Sequence, residues 1–331
     1  MKLYHLVPLF TLLAAPSAWA VISLGGSTSD WTAVVYPSTS RSDYEEDQQT
    51  GHLASDIVGD IVGNQVGFYK KYDDGGGSAT LDDDYIGFRV RMSAQDGNQS
   101  ASWDANLLVG IDVGGEGAVD VFLIASQKNG GIGFYSVDST LPGANSSPST
   151  TSVTQITDAT GTPGFDWERS TTVTEPLDPD FGMFDYRAVS AATDHHINDG
   201  TPGASDDLDG GGDTDFFISF QVDMLTLIEA VRLSNTGAVL DAASGLRFLV
   251  GTSIQDNAFN QDLNGQNGNA VNKGGDGDPY SQANSGKTWA QLGAATDTYT
   301  ASGGSPVPEP ATYALLLGFA VLAAATVRRR R

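Results

Sequence analysis

Cysteine is absent from the 331-residue sequence. Its absence excludes a disulfide framework, a thiolate nucleophile and zinc or iron–sulfur sites held by cysteine. An exported domain without disulfides is stabilised by the size of its hydrophobic core or by bound ions. A chain of this length can bury a sizeable core, so both sources of stability are open to it.

Basic residues are scarce, with 17 Lys and Arg against 41 Asp and Glu and a formal net charge of −24. A surface of this charge repels nucleic acid and anionic membranes, so polynucleotide partners are excluded. Of the acids, 34 are Asp and 7 are Glu. Because Asp favours turns and metal-binding loops over helix interiors, the composition is typical of a turn-rich acidic protein with little helix.

The common catalytic and nucleotide-binding motifs are also missing, among them G-x-S-x-G, H-E-x-x-H, the phosphate loop and G-x-G-x-x-G between a strand and a helix. The adjacent His195 and His196 lie in a polar stretch typical of an exposed loop. Glu116 and Glu168 are the candidates for the two carboxylates of a glycoside hydrolase, although solvated surface acids are the simpler interpretation. We expect a protein without enzymatic activity.

Residues 1–20 are predicted to be a signal peptide. Lys2 precedes an apolar run of about ten residues, which is too short for the roughly twenty that a membrane span needs. The small residues Ala18 and Ala20 then form a small-x-small cleavage site, so that the mature chain starts at Val21. An N-terminal membrane anchor is the alternative, but the cleaved signal is favoured and sends the body out of the cytoplasm.

The body, residues 21–304, is predicted to be all-β. In "YIGFRVRM" the inward residues Ile86, Phe88, Val90 and Met92 alternate with Arg89 and Arg91, the pattern of a half-buried strand. Similar segments, rich in β-branched and aromatic residues, are "WTAVVY", a weaker "ASDIVGDIVGNQVGFY", "NLLVGIDV", "AVDVFLIAS", "GIGFYSV", "FFISFQV" and "LRFLVG". The pattern predicts a two-sheet β-sandwich, of which the jelly roll is the commonest variant.

One helix is expected in the body, in "DMLTLIEAVRLSN". Met224, Leu227, Ile228 and Val231 share one face of it, and Asp223 is placed to cap its start. Residues 138–164 are rich in Ser, Thr, Gly and Pro and predict a long exposed loop. That stretch could instead be a hinge between two domains, but strands of the same character flank it on both sides, which favours one domain.

The sequence "SDDLDGGGDTDFF" is the strongest candidate metal site in the body. Asp207, Asp209, Asp213 and Asp215 occupy positions one, three, seven and nine of an EF-hand-type calcium loop, with glycine at six. The resemblance is partial, because position five is Gly211 and position twelve is Ile218. An acidic turn before the next strand is an equally good interpretation. Two shorter echoes of the pattern, Asp262-Leu263-Asn264-Gly265 and Asp276-Gly277-Asp278, favour calcium as a cofactor.

The C-terminal residues 305–331 contain three elements in order. Pro308, Glu309 and Pro310 impose an extended, accessible backbone. Residues 311–327 are uncharged and predict a transmembrane helix at the short limit of about seventeen residues. Four arginines follow, which favour the cytoplasmic side of the membrane, namely Arg328, Arg329, Arg330 and Arg331.

This arrangement closely resembles the PEP-CTERM sorting signal, which combines a Pro-Glu-Pro motif, one transmembrane helix and a C-terminal basic cluster. The resemblance covers about the last 27 residues and leaves the body unassigned. It implies a Gram-negative bacterium that makes extracellular polysaccharide, and an exosortase-like membrane enzyme that processes the tail near Pro308, Glu309 and Pro310. The helix is then a transient hold on the inner membrane. A permanent single-span anchor is the alternative.

Three functions are compatible with these features. The favoured one is a non-enzymatic surface or matrix protein that is stabilised by calcium and binds a glycan. The second is a secreted carbohydrate-active enzyme on a sandwich scaffold, which rests on fold analogy alone. The third is a permanently anchored envelope protein.

Overall fold

The computed structural model describes residues 22–34, 36, 55–59, 67–74, 81, 84–93, 106–126, 131–137, 153–155, 184–190, 194, 214–253, 261–264 and 295–302. These residues contain twelve strands, one α-helix and a short 3₁₀ turn, Thr28–Asp30. The strands are β1 Thr32–Ala33, β2 Phe68–Asp73, β3 Tyr85–Met92, β4 Asn106–Val113, β5 Val121–Ser126, β6 Gly131–Val137, β7 Val153–Gln155, β8 Phe184–Ala188, β9 Phe216–Asp223, β10 Gly245–Ser253, β11 Asp262–Leu263 and β12 Tyr299–Thr300. The helix α1 spans Met224–Ser234.

The described strands form two antiparallel sheets. The first has five strands in the order β1-β2-β3-β9-β8. The second has seven, in the order β11-β10-β4-β5-β6-β7, and β12 also pairs with β10. Four consecutive strands, β4 to β7, are neighbours in this second sheet and form a meander. The prediction of a mainly β body with two sheets is thereby confirmed, while the jelly-roll variant stays a prediction.

The two sheets face each other across one hydrophobic core. Phe68 and Phe88 of the first sheet contact Phe248 of the second, with ring centroids 6.2 and 5.3 Å apart. On β3 the inward side chains are Ile86, Phe88, Val90 and Met92, as the alternating pattern predicts. The core between the sheets therefore follows directly from the period of two in the sequence.

The outer faces of the central strands depart from the prediction. Every residue of β3 and of β4 is buried, so neither strand is the half-buried element that alternation indicates. A second cluster, with Leu108 and Leu249, lies on the outer face of the seven-stranded sheet, and a third, with Trp31 and Phe217, on that of the five-stranded sheet. Segments outside the sheets cover both faces, which periodicity within a strand cannot reveal.

Helix α1 is confirmed where the apolar spacing places it. Asp223 accepts a hydrogen bond from Thr226 N at 2.7 Å and caps the start, and Asn235 ends the helix in the left-handed conformation with φ 60°. Met224, Leu227 and Val231 are buried in the main core, and Ile228 packs against it. The helix contacts β5, β6 and β9, so it adds its apolar face to the core of the sandwich.

Two segments differ from the sequence-based expectation. The stretch 138–164, predicted as a long loop, contains β7, which pairs with β6 at the edge of the sheet through Val153–Gln155. Strand β8, "FDYRA", was not among the predicted strands, although its five residues alternate, and it pairs with β9. In the part of the chain that the structure describes, no helix is long and apolar enough to cross a membrane. The predicted span 311–327 lies outside that part.

Candidate functional site

The outer face of the five-stranded sheet carries two arginines in its middle. Arg89 is 0 % exposed and Arg91 is 2 % exposed, although alternation along β3 points both away from the main core. Buried arginines require partners, because an unpaired charge is costly to remove from water. The partners of these two arginines therefore determine how this face is organised.

Residues 22–31, here called the N-terminal strap, cover this face. Ile22, Leu24 and Trp31 pack in one cluster with Tyr69 and Phe217 of the sheet. A β-carbon on Gly87 would lie 3.1 Å from Ile22 Cδ1 and 3.2 Å from Trp31, so glycine at this position lets the strap approach the sheet closely.

Gln221 of β9 fixes the beginning of the strap. Ile22 N donates to Gln221 Oε1 at 2.9 Å, and Gln221 Nε2 donates to Ile22 O at 3.1 Å. A side-chain amide that bonds both the N–H and the C=O of one residue acts like a short stretch of sheet. Ile22 is the second residue of the mature chain if cleavage follows Ala20, so the clamp holds the predicted mature N-terminus on the sheet.

Arg89 joins the strap to the sheet by several contacts. Its Nε donates to Ser219 Oγ at 2.9 Å, and its Nη2 donates to the carbonyl oxygen of Leu24. The guanidinium carbon lies 4.4 Å from the centroid of the Trp31 ring and 5.1 Å from that of Phe217. Burial, assisted by the nearby Arg187, lowers the pKa of Arg89 to about 10. The side chain therefore stays charged at neutral pH.

Arg187 and Asp194 form an ion pair at the edge of this face. Arg187 donates to both oxygens of Asp194, at 2.7 and 2.8 Å, and to the carbonyl oxygen of Gly26 at 3.1 Å. Asp194 also accepts from Thr28 N at 3.3 Å. Burial raises the pKa of Asp194, but the hydrogen bonds from Arg187 and Ser190 outweigh it and the pKa is lowered. The pair thus ties the middle of the strap to β8.

Asp215 is the one predicted metal ligand that the structure describes. It is fully buried, and its Oδ2 lies 2.5 Å from Nη2 and 2.7 Å from Nε of Arg91. The carboxylate therefore takes part in an ion pair on the sheet. Its predicted partners Asp207, Asp209 and Asp213 lie outside the described residues.

The other predicted site residues also lie outside that range. They are the cleavage residues Ala18 and Ala20, the sorting residues Pro308, Glu309 and Pro310, the arginines Arg328, Arg329, Arg330 and Arg331, and the candidates His195, His196 and Glu168. Within the described ranges, no group of three or more His, Cys, Asp or Glu side chains is placed to hold a metal ion.

The β4–β5 turn holds a pair of carboxylates that the sequence analysis did not single out. Asp112 accepts hydrogen bonds from Glu116 N at 3.1 Å and from Gly117 N at 2.7 Å. Asp120 accepts from Val113 N at 2.8 Å. Burial, with a contribution from Asp120, raises the pKa of Asp112 to about 6. Glu116 is exposed and supplies only its backbone N–H to this turn, so the two buried aspartates organise the hairpin.

The arginine contacts were not predicted, but the sequence does contain a signal for them. The chain has only 17 basic residues, and two of them occupy alternate positions of the same hydrophobic strand. Two arginines at alternate positions of a strand in an acidic chain are compatible with a solvated face, but they equally indicate buried arginines paired with acids. For Asp112, the signal was the glycine-rich turn that follows it, since aspartate before such a turn commonly bonds the backbone N–H groups.

Comparison with known proteins identifies the tail and leaves the body unassigned. Residues 306–331 match the family model of the PEP-CTERM protein-sorting motif. The predicted resemblance is therefore confirmed, and the motif suggests export and sorting by an exosortase system. No curated protein matches the chain, and no solved structure matches it.

Proposed function

We propose that this protein is a non-enzymatic component of the cell surface or extracellular matrix, released there after an exosortase-like enzyme processes its tail. The observation that carries the proposal is the sorting motif at residues 306–331. In it the sequence Pro308-Glu309-Pro310 precedes an uncharged stretch and four terminal arginines. These features suit a temporary membrane hold followed by cleavage.

The chemistry of the described body supports a structural role. The charged groups on the outer face of the five-stranded sheet serve the fold, because Arg89 and Arg187 bind the strap. On the same face Arg91 pairs with Asp215. In the β4–β5 turn, Asp112 organises the hairpin. The shifted pKa values of Arg89 and Asp112 follow mainly from burial. Groups used in this way hold a scaffold rather than act as general acids or bases.

Calcium and an extracellular polysaccharide are the proposed ligands. The net charge of −24 keeps the protein soluble and repels it from other acidic polymers. Divalent cations bound to Asp207, Asp209 and Asp213 would neutralise this repulsion and could bridge the protein to an acidic glycan. Matrix association is therefore expected to depend on calcium.

The function is tested by following the tail in the native host. We expect wild-type protein outside the cell without residues 311–331. A variant with Pro308, Glu309 and Pro310 replaced by alanine should remain in the membrane fraction with its arginines, because the uncharged stretch and the basic stop are unchanged. Mass spectrometry of the C-terminal peptide reads out both states.

The matched control replaces Gly303, Gly304 and Ser305 by alanine, which alters the same number of residues directly before the motif. This control should be processed and released like the wild type. If the wild type itself stays in the membrane and retains Arg328–Arg331, the protein is a permanently anchored envelope protein and the proposal is wrong.

A further inference from the structure

Asn264, at the end of β11, has a buried side chain whose polar atoms are not accounted for. It is 0 % exposed, and neither Oδ1 nor Nδ2 has a hydrogen-bond partner among the residues described. Its backbone is fixed, because Asn264 N donates to Val250 O at 2.9 Å. A buried amide without partners is costly because it has lost its hydrogen bonds to water, which indicates that a further group completes this environment.

Asn264 follows β11 directly, so continued alternation would place its side chain on the same side as that of Asp262. Between them, Leu263 packs on the outer face of the seven-stranded sheet with Leu108 and Leu249. Because neighbouring side chains of a strand alternate, Asp262 and Asn264 point the opposite way, toward the space between the sheets. Asp262 Oδ2 accepts a hydrogen bond there from Ile57 N at 2.6 Å.

Ser55 brings a second unsatisfied oxygen to this place. It is 0 % exposed, and its Oγ has no hydrogen-bond partner within the described part of the chain. Its carbonyl oxygen accepts from Thr252 Oγ1, and Thr252 is paired in register with Asp262. The neighbouring Asp56 is also fully buried. Segment 55–57 thus lies directly against the end of β10 and against Asp262.

We propose that Ser55, Asp262 and Asn264 form a binding site for a hard divalent cation of the calcium type, at this end of the sandwich. A hydroxyl, a carboxylate and an amide oxygen are ligands that Ca²⁺ prefers, and backbone carbonyls complete such sites. Asp262 and Asn264 are also the alternate residues of the Asp-x-Asn-Gly pattern seen in the sequence. The cation would join segment 55–57 to β11 across about 200 residues of chain, as the hydrogen bond Ile57–Asp262 with its sequence separation of 205 already does.

This site differs from the proposed loop at Asp207–Asp213, and it does not depend on the sorting function. A buried water is the competing occupant, since it would satisfy the same amide. The two occupants respond differently to added charge. If a cation occupies the site, an extra carboxylate at position 264 strengthens its binding. If a water occupies it, the same carboxylate is a second buried acid near Asp262, and it destabilises the fold with or without calcium.

The test uses Ca²⁺ alone and the purified full-length chain after treatment with a chelator. Calorimetric titration and thermal melting are compared for the wild type, Asn264→Ala, Asn264→Asp, Ser55→Ala and the double variant Asp209→Ala with Asp213→Ala. We expect Asn264→Ala and Ser55→Ala each to weaken one binding event by at least about tenfold. The Asn264→Asp variant should bind calcium about tenfold more tightly in that event. Its melting temperature should be lower than that of the wild type only when a chelator is present.

The double variant is the matched control, because it removes the acids of the other proposed calcium loop. It should retain the binding event that Asn264→Asp tightens. The proposal is overturned if Ca²⁺ affinity is the same in wild type, Asn264→Asp and Ser55→Ala, or if Asn264→Asp lowers the melting temperature equally with and without Ca²⁺. Since Asn264→Asp retains an oxygen at the position, it decides the question even if Asn264→Ala does not fold.

Discussion

Asp215, the last acid of the Asp-rich stretch, forms an ion pair with Arg91 on the outer face of the five-stranded sheet. Its Oδ2 lies 2.5 Å from Arg91 Nη2. The contact anchors the start of β9 to β3 at a point where both side chains are buried. Residue 215 therefore serves the sheet, whatever Asp207, Asp209 and Asp213 bind. Asp215 is therefore a structural residue, unlike the candidate calcium ligands that precede it in the sequence.

Replacement of Asp215 by asparagine should destabilise the protein strongly. The substitution keeps the shape but removes the negative charge that lies 2.5 Å from the buried Arg91 guanidinium, which costs about 3–5 kcal/mol. Urea denaturation measures the loss, and Asp30→Asn at an exposed position should change little. Unchanged stability together with a lost response to calcium would instead identify Asp215 as a metal ligand.

Replacement of Gln221 by leucine should release the beginning of the N-terminal strap. Both hydrogen bonds to Ile22 are lost, and we expect a decrease of about 2 kcal/mol in the free energy of unfolding. Aminopeptidase should then shorten the mature N-terminus faster than in the wild type or in Thr32→Ala, an exposed control. Equal rates of shortening would show that the clamp does not hold the strap.

Asp112 should make stability fall as the pH rises from about 4 to about 6. Its pKa is raised by burial to about 6, so the folded state holds a proton that the unfolded state has already lost in this range. Ionisation above pH 6 then costs up to about 3 kcal/mol. The measurement is the difference in unfolding free energy between wild type and Asp112→Asn across this window. A difference that does not vary with pH would contradict the raised pKa.

Calcium should raise the melting temperature of the full-length chain through the loop at Asp207–Asp213. Chelation is expected to reverse the increase, because an ion that binds only the folded state stabilises it. In Asp209→Ala with Asp213→Ala, the part of the increase due to this loop should disappear. If wild type and double variant respond equally to calcium, the stretch is an acidic turn, as the alternative interpretation holds.

The elements that sequence reasoning located are those whose signals are local. The alternation in "YIGFRVRM" identified β3, and the apolar spacing after Asp223 identified α1 with its cap. Strands β7 and β8 were missed because they are edge strands of only three and five residues, and so short a segment is stabilised by pairing with its neighbour more than by its own pattern. The same limit explains why the burial of Arg89 and Arg91 was not foreseen.

Composition specifies the acidic charge, and short runs of neighbouring residues specify the β character of the body, the helix and the sorting motif of the tail. Which distant groups meet depends on the folded chain. Gln221 holds Ile22 across 199 residues, and Asp262 holds Ile57 across 205. Periodicity and capping depend on neighbours in the chain, whereas such contacts depend on sheet register and on which segments cover each outer face.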